Sequence, residues 1–172
     1  RNRWGGTDPA QQHRQALGDL LWTLGRHDEA IARWTERMDP NNSSSQIGMA
    51  QRLIEREAFD KARPYLQRAI ELDPKSSAAH RALAGLCHEE GDALGMLAHL
   101  RVVFEQQQAR GMDLSDGYRY GGSAGGGEQV WAIALSSNPQ VSQHLDALPA
   151  AEQADVRLML AVWRGDWAAA EQ

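Results

Sequence analysis

Apolar residues recur along this chain at intervals of three and four, the spacing that places them on one face of an α-helix. No apolar segment alternates with a period of two, so the pattern predicts helices and no strand. Glycine or proline interrupts the pattern at short intervals, at Gly25, Pro40, Pro74 and Gly91. The chain is therefore predicted to be all-α, with three antiparallel helix pairs between residues 9 and 110.

The helix pairs recur as a unit of similar sequence. Ser43 to Ser76 span 34 residues, with small residues at the eighth and twentieth positions, Ala50 and Ala62. A copy that starts at Gln11 has Gly18, Gly25, Ala30 and Trp34 at positions 8, 15, 20 and 24 of the unit. A copy that starts at Ser77 has Ala84, Cys87, Gly91 and Leu100 at positions 8, 11, 15 and 24. Small residues let two helices cross closely, because a larger side chain would force them apart at a cost of roughly 1–3 kcal/mol.

This unit resembles the tetratricopeptide repeat, a 34-residue helix–turn–helix with small residues at positions 8, 20 and 27 and proline at position 32. The resemblance covers Gln11 to about Gln107, and Ala69 falls on position 27. It implies an α-solenoid of antiparallel helix pairs wound into a right-handed superhelix. The chain departs from the pattern at Glu57, where glycine is usual at the break, and at Met96, where alanine is usual.

Four segments are expected. Residues 1–8 form an N-terminal lead-in, residues 9–110 the three helix pairs, and residues 111–128 a glycine-rich loop or linker whose GGSAGGG core resembles an engineered linker. Residues 129–172 are predicted to hold further helices and a truncated fourth unit, since Gly165, Trp167 and Ala170 match positions 15, 17 and 20. The sequence starts without methionine and ends within a predicted helix, so we interpret it as part of a larger protein of bacterial type.

The composition of the chain limits the classes of partner that it is expected to bind. The net charge is −5 and the arginines are interspersed with acidic residues, so no basic run predicts binding to nucleic acid or to an anionic membrane surface. No apolar stretch approaches the roughly 20 residues of a membrane span. A single cysteine excludes an internal disulfide and leaves both cytoplasm and periplasm open as the compartment.

The most reactive-looking string, Cys87-His88-Glu89-Glu90, is not expected to be a metal or catalytic site. His80, the next histidine upstream, lies two helical turns away, about 12 Å along the axis, which is too far to share an ion with His88. In the repeat register Cys87 faces the second helix of its pair, so a buried thiol is expected. We predict no cofactor, no metal and no catalytic residue.

The resemblance implies a concave groove lined by repeat positions 2, 5, 9 and 12. The predicted groove residues are Gln12, Gln15, Asp19, Trp22, Ser44, Ile47, Gln51, Ile54, Arg81 and His88, and Gly85 is a small residue on the same stripe. Trp22 is the expected aromatic anchor for a partner, unless it packs beneath the N-terminal segment around Trp4 or beneath an earlier repeat. Gln15 and Asp19 replace the lysine and asparagine by which family members grip a terminal carboxylate, so binding of chaperone tails is not expected.

The leading hypothesis is a non-catalytic scaffold that binds a peptide or protein segment in this groove and stacks on repeats outside the sequence. Three alternatives stay open. The chain could be the docking or regulatory arm of an enzyme, a self-assembling array, or the periplasmic stalk of an outer-membrane polysaccharide exporter. The fold alone does not distinguish these alternatives, whereas the flanking sequence would distinguish them.

Overall fold

The computed structural model describes residues 9–110 and 125–166, and within these ranges every regular element is a helix. The helices are α1 (Pro9–Thr23), α2 (His27–Thr35), α3 (Ser43–Ile54), α4 (Phe59–Leu72), α5 (Ser77–Glu90), α6 (Ala93–Ala109), α7 (Gly125–Ser136), α8 (Pro139–Ala147) and α9 (Ala150–Arg164). α1 packs on α2, α3 on α4, and α5 on α6, so the predicted all-α solenoid of helix pairs is confirmed.

A left-handed residue ends the first helix of each unit. Gly25, Gly91 and Gly165 have φ of 75°, 74° and 76°, and Glu57 occupies the same repeat position with φ of 57°. This conformation is favourable for glycine and costs an L-residue with a side chain roughly 1–2 kcal/mol. The left-handed break therefore recurs at the same repeat position in the three helix pairs and at the end of α9.

Close helix crossings explain the small residues. Ala50 and Ala62 are fully buried in the second pair, as expected from their repeat positions. In the first pair, a side chain at Gly18 would overlap the indole of Trp34. These positions set the distance between the helices of each pair, because atoms beyond Cβ would have no room.

Side-chain caps start several of the helices. Asn42 accepts a hydrogen bond from the backbone N–H of Ser45 at 3.0 Å, and Asp92 accepts one from Gly95 at 2.9 Å. Asn138 caps α8 in the same way, with Pro139 at the first helical position. Each cap satisfies a backbone donor that the first turn of a helix leaves without a partner.

The C-terminal helices share a core with the third pair. Trp163 is buried and meets Phe104 edge to face, with ring centroids 5.7 Å apart. α7 begins at Gly125, inside the segment 111–128 that was expected to be a linker, so the predicted start of the helix at residue 129 was four residues late. The expected lead-in at residues 1–8 with Trp4, and the expected fourth-unit residues Trp167 and Ala170, lie outside the described residues.

Candidate functional site

A cavity of about 560 Å³ opens between α3 and α5. Gln51 and Ile54 line it from α3, and Arg81 and Gly85 line it from α5. These are four positions of the stripe that the repeat register assigned to the groove. The remaining lining residues are Glu57, Phe59, Ala78, Ala82, Leu86, Glu89 and Trp131.

The cavity surface is apolar at its base and charged at its edges. Leu86 is almost completely buried and Ile54 is half-buried, whereas Glu57 and Glu89 are exposed and carry the opposite charge to Arg81. Pockets that bind peptides combine apolar surface with a few oriented polar groups in this way. The site therefore has the chemistry for a segment with mixed side chains, and lacks a dense concentration of one charge.

Trp131 from α7 forms one wall of the cavity. Its ring lies 3.6 Å from where a Cβ on Gly85 would be, and its centroid is 6.4 Å from that of His88. A Cβ at Gly85 would make ordinary van der Waals contact with the indole, so a longer side chain there would compete with it for space. Sequence reasoning missed Trp131, because it follows the glycine-rich segment and has no position in the repeat register.

Ile47, a predicted groove residue, does not line this cavity. Its side chain is buried against Ala69 and Ala79, where α3, α4 and α5 meet, and it stabilises the core. Ser44 and Gln12 are exposed but do not line the cavity, and His88 reaches it only through its contact with Trp131.

Trp22, the expected anchor, stacks on two rings of the first unit. Its ring stacks on His27 at 4.1 Å and on Trp34 at 5.5 Å between centroids, and it is half-buried against the core of the second pair. The alternative partner near Trp4 lies outside the described residues.

Asp19 joins the first unit to the second, and Gln15 joins the two helices of the first unit. The Asp19 carboxylate accepts hydrogen bonds from Arg56 at 2.7 Å and from Arg52 at 3.4 Å, and both guanidinium groups lie over the Trp34 ring. The backbone carbonyl of Gln15 accepts a hydrogen bond from Trp34 Nε1 at 3.4 Å. These residues hold α1 and α2 against α3, so the predicted groove residues separate into two groups on different surfaces.

The reactive-looking string behaves as expected for a structural thiol. Cys87 is buried, and burial raises the pKa of its thiol, which makes the nucleophilic thiolate less accessible. Across the described ranges, no three histidine, cysteine or carboxylate side chains converge on one point. None of the described helices is long and apolar enough to cross a membrane.

Paired helices with left-handed breaks at equivalent positions and a cavity between first helices define an α-solenoid of repeated helical hairpins. The family model for the tetratricopeptide repeat matches residues 14–32 and 47–76, within the first and second units. Residues 14–32 and 47–76 are therefore tetratricopeptide repeats. No curated protein matches it by sequence.

Proposed function

We propose that this chain is a protein-interaction scaffold that holds a peptide segment of a partner in the cavity between α3 and α5, against Trp131. The observation that supports this most directly is the composition of that cavity. Exposed Gln51 and half-buried Ile54 face Arg81 across the cavity, which has a volume of about 560 Å³. The volume is within the range of pockets that bury small ligands or a few side chains of a peptide.

Trp131 is the expected anchor of the interaction. It is half-buried, so part of its ring faces the cavity while the rest packs against the core. Aromatic side chains in such settings carry a large share of interface binding energy. Repeat arrays of this class generally bind proteins through surfaces of this kind.

The test begins with peptides selected from a random display library against the whole chain, with affinities measured by fluorescence anisotropy. Gly85→Leu should weaken a cavity-binding peptide by at least about tenfold, because the new side chain would occupy the space next to Trp131. Ile54→Ala should weaken it less. Leu94→Ala is the matched control, since it removes a similar apolar group from an exposed position on α6.

The indole N–H resonance of Trp131 reports the site independently. Its NMR signal is assigned as the one that disappears in Trp131→Phe, and it should shift when the peptide binds. The proposal would be refuted if Gly85→Leu bound the peptide as tightly as wild type and this resonance did not shift. The peptide would then bind elsewhere.

A further inference from the structure

A second cavity, of about 490 Å³, lies between the first helix pair and α3. We call it the arginine cleft, because Arg14, Arg33, Arg37 and Arg52 line it. It is distinct from the cavity between α3 and α5, since it includes residues of α2 and none of α5.

The cleft is positively charged although the chain as a whole has a net charge of −5. Its lining includes four guanidinium groups and no carboxylate. Nearby carboxylates partly compensate the charge of two of the four guanidinium groups: Arg33 lies 3.6 Å from Glu36, and Arg52 lies 3.4 Å from Asp19. Like charges held together in a concave surface attract anions more strongly than dispersed ones do.

Apolar surface separates the guanidinium groups. Trp34, Met38 and Met49 contribute to the wall of the cleft, and Arg52 lies 5.1 Å from the centroid of the Trp34 ring. A lone inorganic anion would contact one or two of the arginines and leave the apolar wall uncovered. A chain segment with acidic and apolar side chains would satisfy both parts of the surface.

Gly48 keeps the cleft open. It lies within α3, where glycine costs about 1 kcal/mol of helix stability relative to alanine, and no atom lies within 4 Å of where its Cβ would be. Any side chain introduced at this exposed position would extend into the cleft without a clash at Cβ.

From this arrangement we infer that the arginine cleft is a second binding site, and that it takes an acidic segment of a partner protein in which carboxylate side chains alternate with apolar ones. The carboxylates pair with the guanidinium groups, most directly with Arg14 and Arg37, which have no ion pair to any described residue. The apolar side chains pack on Trp34 and the two methionines. The overall negative charge of the chain disfavours nucleic acid as the occupant.

The experiment measures binding of a labelled peptide of about twelve residues, in which glutamate and leucine alternate, to the whole chain at low and moderate salt. Arg14→Gln and Arg37→Gln should each weaken binding roughly tenfold, and added salt should weaken it further. Arg157→Gln is the matched control, because it removes the same charge from α9 and should leave the affinity unchanged.

Gly48→Glu is the sharpest variant, because it places a carboxylate among the four arginines and should abolish peptide binding. Gly48→Gln introduces a side chain of the same size without the charge and should retain most of the peptide binding. Both replace a helical glycine, so circular dichroism should show folded protein. Gly85→Leu should not affect this peptide, which separates the cleft from the proposed peptide cavity.

Three results would overturn the inference. One is an effect of Arg157→Gln as large as that of Arg37→Gln, which would show binding to net charge alone. Another is unchanged binding by Gly48→Glu. The third is tighter binding of a short DNA duplex or of inorganic phosphate than of the peptide, in competition at equal salt.

Discussion

Glu57 allows the cost of a left-handed backbone to be measured within one array. Three glycines and this glutamate occupy the same repeat position, with φ of 74° to 76° for the glycines and 57° for Glu57. The left-handed conformation costs a residue with a Cβ roughly 1–2 kcal/mol. Replacing Glu57 by glycine removes that cost but gives the unfolded chain more freedom, which offsets about 0.4–1 kcal/mol.

Glu57→Gly should therefore raise the free energy of unfolding by about 0.5–1 kcal/mol, which corresponds to an increase in Tm of roughly 1–4 °C for a chain of this size. The reverse substitution, Gly91→Ala, should lower the stability by about 0.5–1 kcal/mol, because the same two effects act with opposite sign. No atom lies within 4 Å of where a Cβ on Gly91 would be, so this loss comes from the backbone and not from a clash.

Thermal melts followed by circular dichroism measure both changes. Glu57 lies at the rim of the peptide cavity, so the comparison is made without ligand. A lower Tm for Glu57→Gly would refute the reasoning, because it would mean that the glutamate side chain stabilises the turn by more than its backbone strain.

Three further predictions follow from the packing. Ala62→Leu should lower the free energy of unfolding by roughly 1–3 kcal/mol in denaturant titrations, because Ala62 is fully buried at a helix crossing; an unchanged midpoint would contradict the register. Trp22→Ala should lower it by roughly 2–3 kcal/mol through lost stacking on His27 and Trp34, while peptide affinity per folded molecule stays the same. The free energy of unfolding should also fall as pH drops below about 6.5. Burial and the nearby His80 lower the pKa of His99 in the folded state, so the unfolded chain binds the proton first. His99→Gln should flatten this pH dependence, and His144→Gln, at an exposed position, should not.

Most of the fold could be predicted because repeat position fixes backbone geometry. Gly18, Ala50 and Ala62 had to be small for helices to cross, and the left-handed breaks recur where the register placed them. These are local constraints, and the sequence displays them directly. The register also identified Gln51, Ile54, Arg81 and Gly85 as residues of one surface.

The parts that escaped prediction depend on contacts between helices. Ile47 lies on the predicted stripe but is buried, because Ala69 and Ala79 leave a space that its side chain fills. The stacking of Trp22 on Trp34 joins the two helices of the first pair, and the repeat register does not specify it. Trp131 reaches the cavity from beyond the glycine-rich segment, and no periodicity connects the two.

Two junctions of the array differ in chemistry, and the functional proposals depend on this difference. Between the first and second units, Asp19, Arg52, Arg56 and Trp34 make polar and cation–π contacts around an open cleft. Between the third pair and α9, the contact is apolar and closed, with Trp163 on Phe104. Exposed ion pairs contribute little to stability, whereas buried apolar contacts contribute much. The first junction is therefore the one that a charged partner can enter at low cost, while the second holds Trp131 in place as a wall of the peptide cavity.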